Sequence, residues 1–136
     1  MFGLETLFAQ EFGIFIVRIL LGFTFFMHGA QKAFGWFGGQ GYQAFVAWLM
    51  GMQVPLFIAY IAAGAEFFAA LLLLFGIASE VGAALMVCQM IAAIYLVHLN
   101  NGYFGPNGFE YPLNLLILCF VIIIAGPGKY YLWNLY

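Results

Sequence analysis

Ten residues of this chain carry acids, strong bases or imidazoles, and six of them fall inside or at the ends of apolar runs: Arg18, His28, Lys32, Glu66, His98 and Glu110. Two imidazoles, an ammonium and a carboxylate near a membrane surface can move protons or hold a polar head group. Deeper carboxylate and guanidinium groups, Glu66 and Arg18, can extend a proton path. A charge inside an apolar span is costly and faces a protein partner or a wet cavity. Arg18 therefore asks for an acidic partner, and Glu66 is the candidate, since the two differ in depth by about one helical turn when spans are counted from the terminal side. Such a pair has a simpler role too, fixing helix register. His28 and His98 alone would only cap helix ends, Lys32 would only snorkel, and Glu110 would be an ordinary first-turn acid. Together they read as a site.

The elements that position these residues are membrane helices. The chain has 136 residues, 67% hydrophobic and only 6% charged, with a mean hydropathy of +1.08. A soluble domain averages about 25% charged residues. The composition describes an all-α integral membrane four-helix bundle within a single domain, residues 1–136. A run of roughly 20 apolar residues crosses the hydrocarbon core, which places spans at about 12–34, 55–76, 81–98 and 110–126. Residues 1–11 read as a short interfacial lead-in. A short interfacial helix comes after span one, where Tyr42, Phe45, Val46 and Leu49 recur at helical spacing with Trp48 alongside. Gly126-Pro127-Gly128 stops span four, and the Tyr/Trp-rich tail reads as an interfacial anchor.

Helical periodicity sets Arg18, Gly22, Phe25, Gly29 and Lys32 near one face of span one, with glycines that permit close packing. Glu66 shares a face with Ala59, Ala62, Ala63, Ala69 and Ala70, so it points into the bundle. Alternating spans bring His28, Gln31, Lys32, His98 and Glu110 to the membrane face opposite the termini. Gln89 reads as an interhelical hydrogen-bond donor. The positive-inside rule favours cytoplasmic termini by a margin of one charge. The slight negative net charge and the lack of a basic patch exclude nucleic acid as a partner.

Cys88 and Cys119 form no CxxC pair and read as buried small hydrophobes. The N-terminus shows no cleavable signal peptide. Two histidines on different helices are a conceivable haem ligand pair, but no haem motif and no local metal-ligand spacing is present. Aromatics make up 21% of the chain, and Trp36, Phe37, Tyr42, Trp48, Tyr103 and Phe104 gather on the side of the polar cluster. They form either an aromatic belt or a vestibule for a lipophilic head group such as a quinone.

Arg18-x-x-x-Gly22, His28-Gly29-x-x-Lys32, Gly35, Phe37-Gly38-Gly39, Gly64-x-Glu66, His98, Gly108-Phe109-Glu110-Tyr111-Pro112 and Gly126-Pro127-Gly128 occur in that order. This ordered set resembles the DoxX family over nearly the whole chain. The resemblance implies a small four-helix membrane protein, with relatives linked to thiosulfate:quinone oxidoreductase, terminal-oxidase complexes and thiol or oxidative stress. It also implies that Arg18, His28, Lys32, Glu66, His98 and Glu110 are the family's polar positions. The resulting expectation is a subunit of a quinone-linked membrane oxidoreductase. Glu66, His98 and Glu110 are its catalytic candidates; Arg18, His28 and Lys32 are its substrate-binding candidates. Quinone is the candidate cofactor, the bilayer and further membrane or peripheral subunits are the expected partners, and electrons come from a partner or a small reductant. A non-catalytic accessory subunit and a small-molecule carrier or channel are the alternatives.

Overall fold

A computed structural model describes residues 2–134. Residues 1, 135 and 136 lie outside the described set. Among the described residues the chain forms helices and connections, with one isolated bridge between Ile77 and Trp133. The helices are α1 (Phe2–Phe34), α2 (Tyr42–Gly51), α3 (Leu56–Phe75), α4 (Ser79–Ala93) and α5 (Glu110–Ala125). The helical path of α4 continues through a π turn, Ile94–His98, and a 3-10 turn, Leu99–Asn101. Three helical stretches are long and apolar enough to cross a membrane: Gly3–Phe34, Leu56–Phe75 and Ser79–Asn101. The apolar helix α5 has 16 residues, about 24 Å at 1.5 Å per residue.

The lead-in expected at residues 1–11 is not a separate element. Residues 2–11 are the first three turns of α1, which runs unbroken for 33 residues. No proline or helix-breaking glycine pair interrupts it, so the helix continues.

α1 packs most extensively on α3, α3 on α4, α4 on α5, and α5 returns to α1. Leu21, Phe25, Ala69, Ala70, Leu73, Ala83, Met86, Cys119 and Ile122 fill the space between them. Small residues let the backbones approach, and in lipid close packing supplies much of the association energy. At Gly29 a Cβ would stand 2.6 Å from the backbone nitrogen of Phe67. At Gly22 it would stand 2.9 Å from Leu74 Cγ. Seven residues back on α1 thus correspond to seven forward on α3, which fixes the antiparallel register.

α3 overhangs the end of α1. Its first turns are covered by α2 instead, through a second apolar cluster of Val46, Leu49, Ala59 and Ala63. The expected inward face of α3 is present, with Ala59, Ala63, Glu66, Ala69 and Ala70 buried. Gln89 Nε2 donates to the Ala62 carbonyl at 3.5 Å, a long interhelical bond. Of the two cysteines only Cys119 is buried; Cys88 lies on the exposed side of α4.

The tail after α5 is a clasp. Lys129 N–H donates to Glu11 O at 3.1 Å, and Trp133 N–H to Gly76 O at 3.1 Å. Ala78 N–H donates to Trp133 O at 3.0 Å. The tail therefore ties the start of α1 to the α3–α4 connection, beyond the anchoring role expected from its composition.

Candidate functional site

α1, α3, α5 and the π turn after α4 each contribute polar side chains to one small cavity of about 140 Å³. Its lining includes His28, Lys32, Glu66, His98 and Tyr111, with Phe25, Met90, Ala93, Pro112 and Leu115 as apolar walls. Glu66 is 1% exposed and forms an ion pair and hydrogen bond with Lys32, whose side chain is 29% exposed. The pair therefore spans from the helix packing to the cavity mouth. Lys32 Nζ also lies 5.2 Å from the Phe45 ring centroid, within cation–π range.

His98 stands at the end of the π turn. A π turn adds a residue per turn and rotates the residues after it, and such turns recur at functional sites. His98 Nδ1 lies 2.8 Å from Asn107 O. A carbonyl only accepts, so Nδ1 carries the hydrogen and the neutral ring keeps its lone pair on Nε2. The loop holding Asn107 is itself bound to the next helix start: Phe109 N–H donates to Gly102 O and Glu110 N–H to Tyr103 O, both at 3.1 Å. The loop thus sets the imidazole's tautomer. Across the cavity, the Tyr111 hydroxyl lies 3.5 Å from His28 Nε2, a long contact, with the rings 6.4 Å apart.

Arg18 is not the partner of Glu66. From the Gly29–Phe67 contact, Glu66 falls level with residue 30 of α1, next to Lys32. Arg18 lies twelve residues away from that level, about 18 Å along the helix. The expectation aligned the start of span two with the end of span one; the overhang covered by α2 shifts α3 by about two turns. Arg18 is instead fully buried at the middle of α1, against the end of α3, at 0% exposure. Its guanidinium donates to five carbonyls: Pro127 at 2.7 Å, Leu73 at 2.7 Å, Leu74 at 3.4 Å, Lys129 at 3.2 Å and Tyr130 at 2.9 Å. The planar fork of five N–H donors suits such a basket, whereas an ammonium would fill it less well. Gly76 makes room for it: φ is +63°, and a Cβ there would meet Arg18 Nη1 at 2.7 Å. Arg18 therefore sits in a structural centre remote from His28, Lys32 and His98.

Residues 13–99 match the DoxX family profile. The chain belongs to the DoxX family. Among curated proteins, this DoxX chain is 30% identical over 122 residues to the Bacillus subtilis (strain 168) protein named "Putative oxidoreductase CatD", covering 90% of this chain and 84% of that one. It is 28% identical over 123 residues to "Inner membrane protein YqjF" of Escherichia coli (strain K12), covering 89% of each. No solved structure matches it significantly.

Within this DoxX chain, Glu110 is half-buried at the first turn of α5 and is not among the residues lining the cavity. The next residue, Tyr111, lines it instead. Sequence reasoning preferred the carboxylate to the phenol, although both stand in the same Gly-Phe-Glu-Tyr-Pro run. Among the described residues no group of three or more His, Cys, Asp or Glu side chains comes together as a metal site. Of the expected vestibule aromatics, Trp48 borders a neighbouring apolar cavity together with Phe45. Trp36 and Phe37 are exposed, and Tyr103 packs edge-on against Phe104 and Phe109. The cavity as built offers a hydroxyl, an ammonium, two imidazoles and a carboxylate around a space for a small polar head.

Proposed function

We propose that this DoxX-family chain is a subunit of a quinone-linked membrane oxidoreductase acting on sulfur compounds or in thiol and oxidative-stress redox chemistry. In this reading it crosses the cell membrane four times as a four-helix bundle, with α5 as the fourth span, α2 at the interface and both termini cytoplasmic. The observation that carries the reading is the single cavity in which His28, Lys32, Glu66, His98 and Tyr111 converge. The oxidoreductase name of the Bacillus subtilis relative supports the reaction class.

Reduction of a quinone to a quinol takes two electrons and two protons. The electrons come from a partner subunit or from a small thiol or sulfur reductant. The protons are the chain's contribution. Lys32, Tyr111 and an imidazole N–H can hydrogen-bond the head-group oxygens and stabilise negative charge as it develops there. His98, with its tautomer fixed by Asn107, takes up a proton at Nε2 and passes it on. Glu66 holds the Lys32 ammonium in place and is the inner carboxylate of the relay, while Glu110 is its surface end. Arg18 has no part in this site.

Turnover in membranes tests this. Glu66→Gln and His98→Ala should lower quinone-linked turnover by about two orders of magnitude, the usual contribution of a proton-transfer group, while the purified variants elute as folded protein. Joint loss of fold and turnover in Glu66→Gln would assign the pair to helix register. Unchanged turnover in both variants would contradict the reading.

One observation favours the accessory-subunit reading. Gly64 on α3 has nothing within 4 Å of an added Cβ, so it offers an open helix surface to a partner. Gly64→Leu should then release a co-purifying subunit without disturbing the fold. Ala63, by contrast, is buried against α2 and reports only on internal packing.

A further inference from the structure

We propose that the cavity between α2 and α4 is a channel for the single apolar tail of a neutral, oxygen-bearing head group, which enters the polar cavity sideways from the bilayer. The inference rests on the polar cavity being a binding site. The channel itself has about 270 Å³ and is lined by Phe45, Trp48 and Leu49 of α2, by Ala92 of α4 and by Leu96 and Val97 of the π turn. Lys32, Met90, Ala93 and His98 line both this cavity and the polar one. The two spaces therefore share one wall, apolar on one side and hydrogen-bonding on the other. That is the division an amphiphile needs.

α2 packs on α3 and α1 and makes no comparable contact with α4. The rim is open: Trp48 and Leu96 are both more than one third exposed. The π turn widens α4 where Leu96, Val97 and His98 meet the channel.

Two features select the ligand. Lys32 and Glu66 are paired, so the cavity wall presents no net charge to attract a phosphate. The polar space is small, about 140 Å³, which suits one small ring. Lipid is as apolar as the channel, so the tail gains little by leaving it. The channel acts by shape and direction, and blocking it is the appropriate test.

Trp48 is the reporter. A Trp36→Phe/Trp133→Phe form keeps Trp48 as its one tryptophan, and quenching of its fluorescence by benzoquinones can be titrated in nanodiscs. Ala92→Phe narrows the channel without touching the polar cavity; Leu96→Trp, read by equilibrium dialysis, is the second block. We expect each block to weaken a decyl-substituted benzoquinone about ten-fold, equivalent to about 1.4 kcal/mol, and to leave tailless benzoquinone within two-fold, roughly the scatter of such contacts. His98→Ala should weaken both compounds. Unchanged affinity for the decyl compound in both blocked forms overturns the channel and leaves the head-group site standing. Equal loss of both compounds also overturns it, since the space would then serve the head. Saturable quenching by a brominated-chain phospholipid that the decyl compound cannot displace overturns the choice of head. If His98→Ala changes neither compound, the head-group site itself fails.

Discussion

The Lys32–Glu66 pair and the Arg18 basket divide the charges inside the helices into two centres with different jobs. The pair is asymmetric, with a buried carboxylate and a partly wetted ammonium, so losing either partner leaves different costs. Glu66→Gln keeps shape and one acceptor; Lys32→Met leaves a carboxylate without its cation. We predict that Lys32→Met lowers stability more than Glu66→Gln, by roughly 2–3 kcal/mol against about 1. The double substitution should cost less than the sum. Thermal unfolding of the four forms in detergent checks this, and additive losses would show that the two groups do not couple. Arg18→Met removes the donor to five carbonyls and should cost at least about 3 kcal/mol. Its specific mark is chymotryptic cleavage at Tyr130 or Tyr131 under conditions where the wild-type tail resists; a protected tail would mean that the clasp holds without the guanidinium. That these charges are satisfied inside the protein was legible from their types alone. Who pairs with whom was not, because one residue of sequence says nothing of how far α3 slides along α1.

The slide belongs to the helices. The periodicity of Ala59, Ala63, Glu66, Ala69 and Ala70 revealed which face of α3 is inward, and Gly22 and Gly29 revealed the contact face of α1. Register comes from the close approach at Gly29 and from α2 covering the overhang, and neither is a local signal. Gly29→Leu should therefore separate α1 from α3 and abolish folding, since the added side chain meets backbone. Gly64→Ala on the open side should leave the unfolding midpoint unchanged or slightly raised, because a helix-interior glycine costs up to about 1 kcal/mol relative to alanine. Unfolding curves of these two forms decide the point; equal destabilisation would contradict the register. The π turn at Ile94–His98 left no mark in the sequence, because Ile94, Tyr95, Leu96, Val97 and His98 are residues that an ordinary α-helix also accepts. Deleting Val97 should restore α-helical winding, keep the helical circular dichroism and rotate His98 away from the cavity, with loss of head-group binding.

At the scale of the whole molecule, the chain separates a clasped end from the end that carries the candidate site. The tail, the start of α1 and the α3–α4 connection close one end around Arg18. The other carries α2, the Asn107 loop and the cavity. Composition made the apolar helices legible, and the ordered motifs made the family legible. The clasp was not, since its bonds run through backbone groups that every sequence has. Because Lys129 N–H donates to Glu11 O, the tail and the third turn of α1 lie at the same end of the molecule. In the proposed four-span reading both termini lie on one side, so reporter fusions at the two termini should give the same, cytoplasmic signal; opposite signals would remove α5 as a span. In the proposed reading, His28, Lys32, Glu66, His98 and Tyr111 line a head-group site. Native mass spectrometry of the protein drawn from its own membrane in mild detergent tests it most directly. The wild-type protein should carry a bound quinone mass that is absent from His98→Ala. A wild-type spectrum carrying a protein partner and no small molecule, identical in the variant, would contradict it.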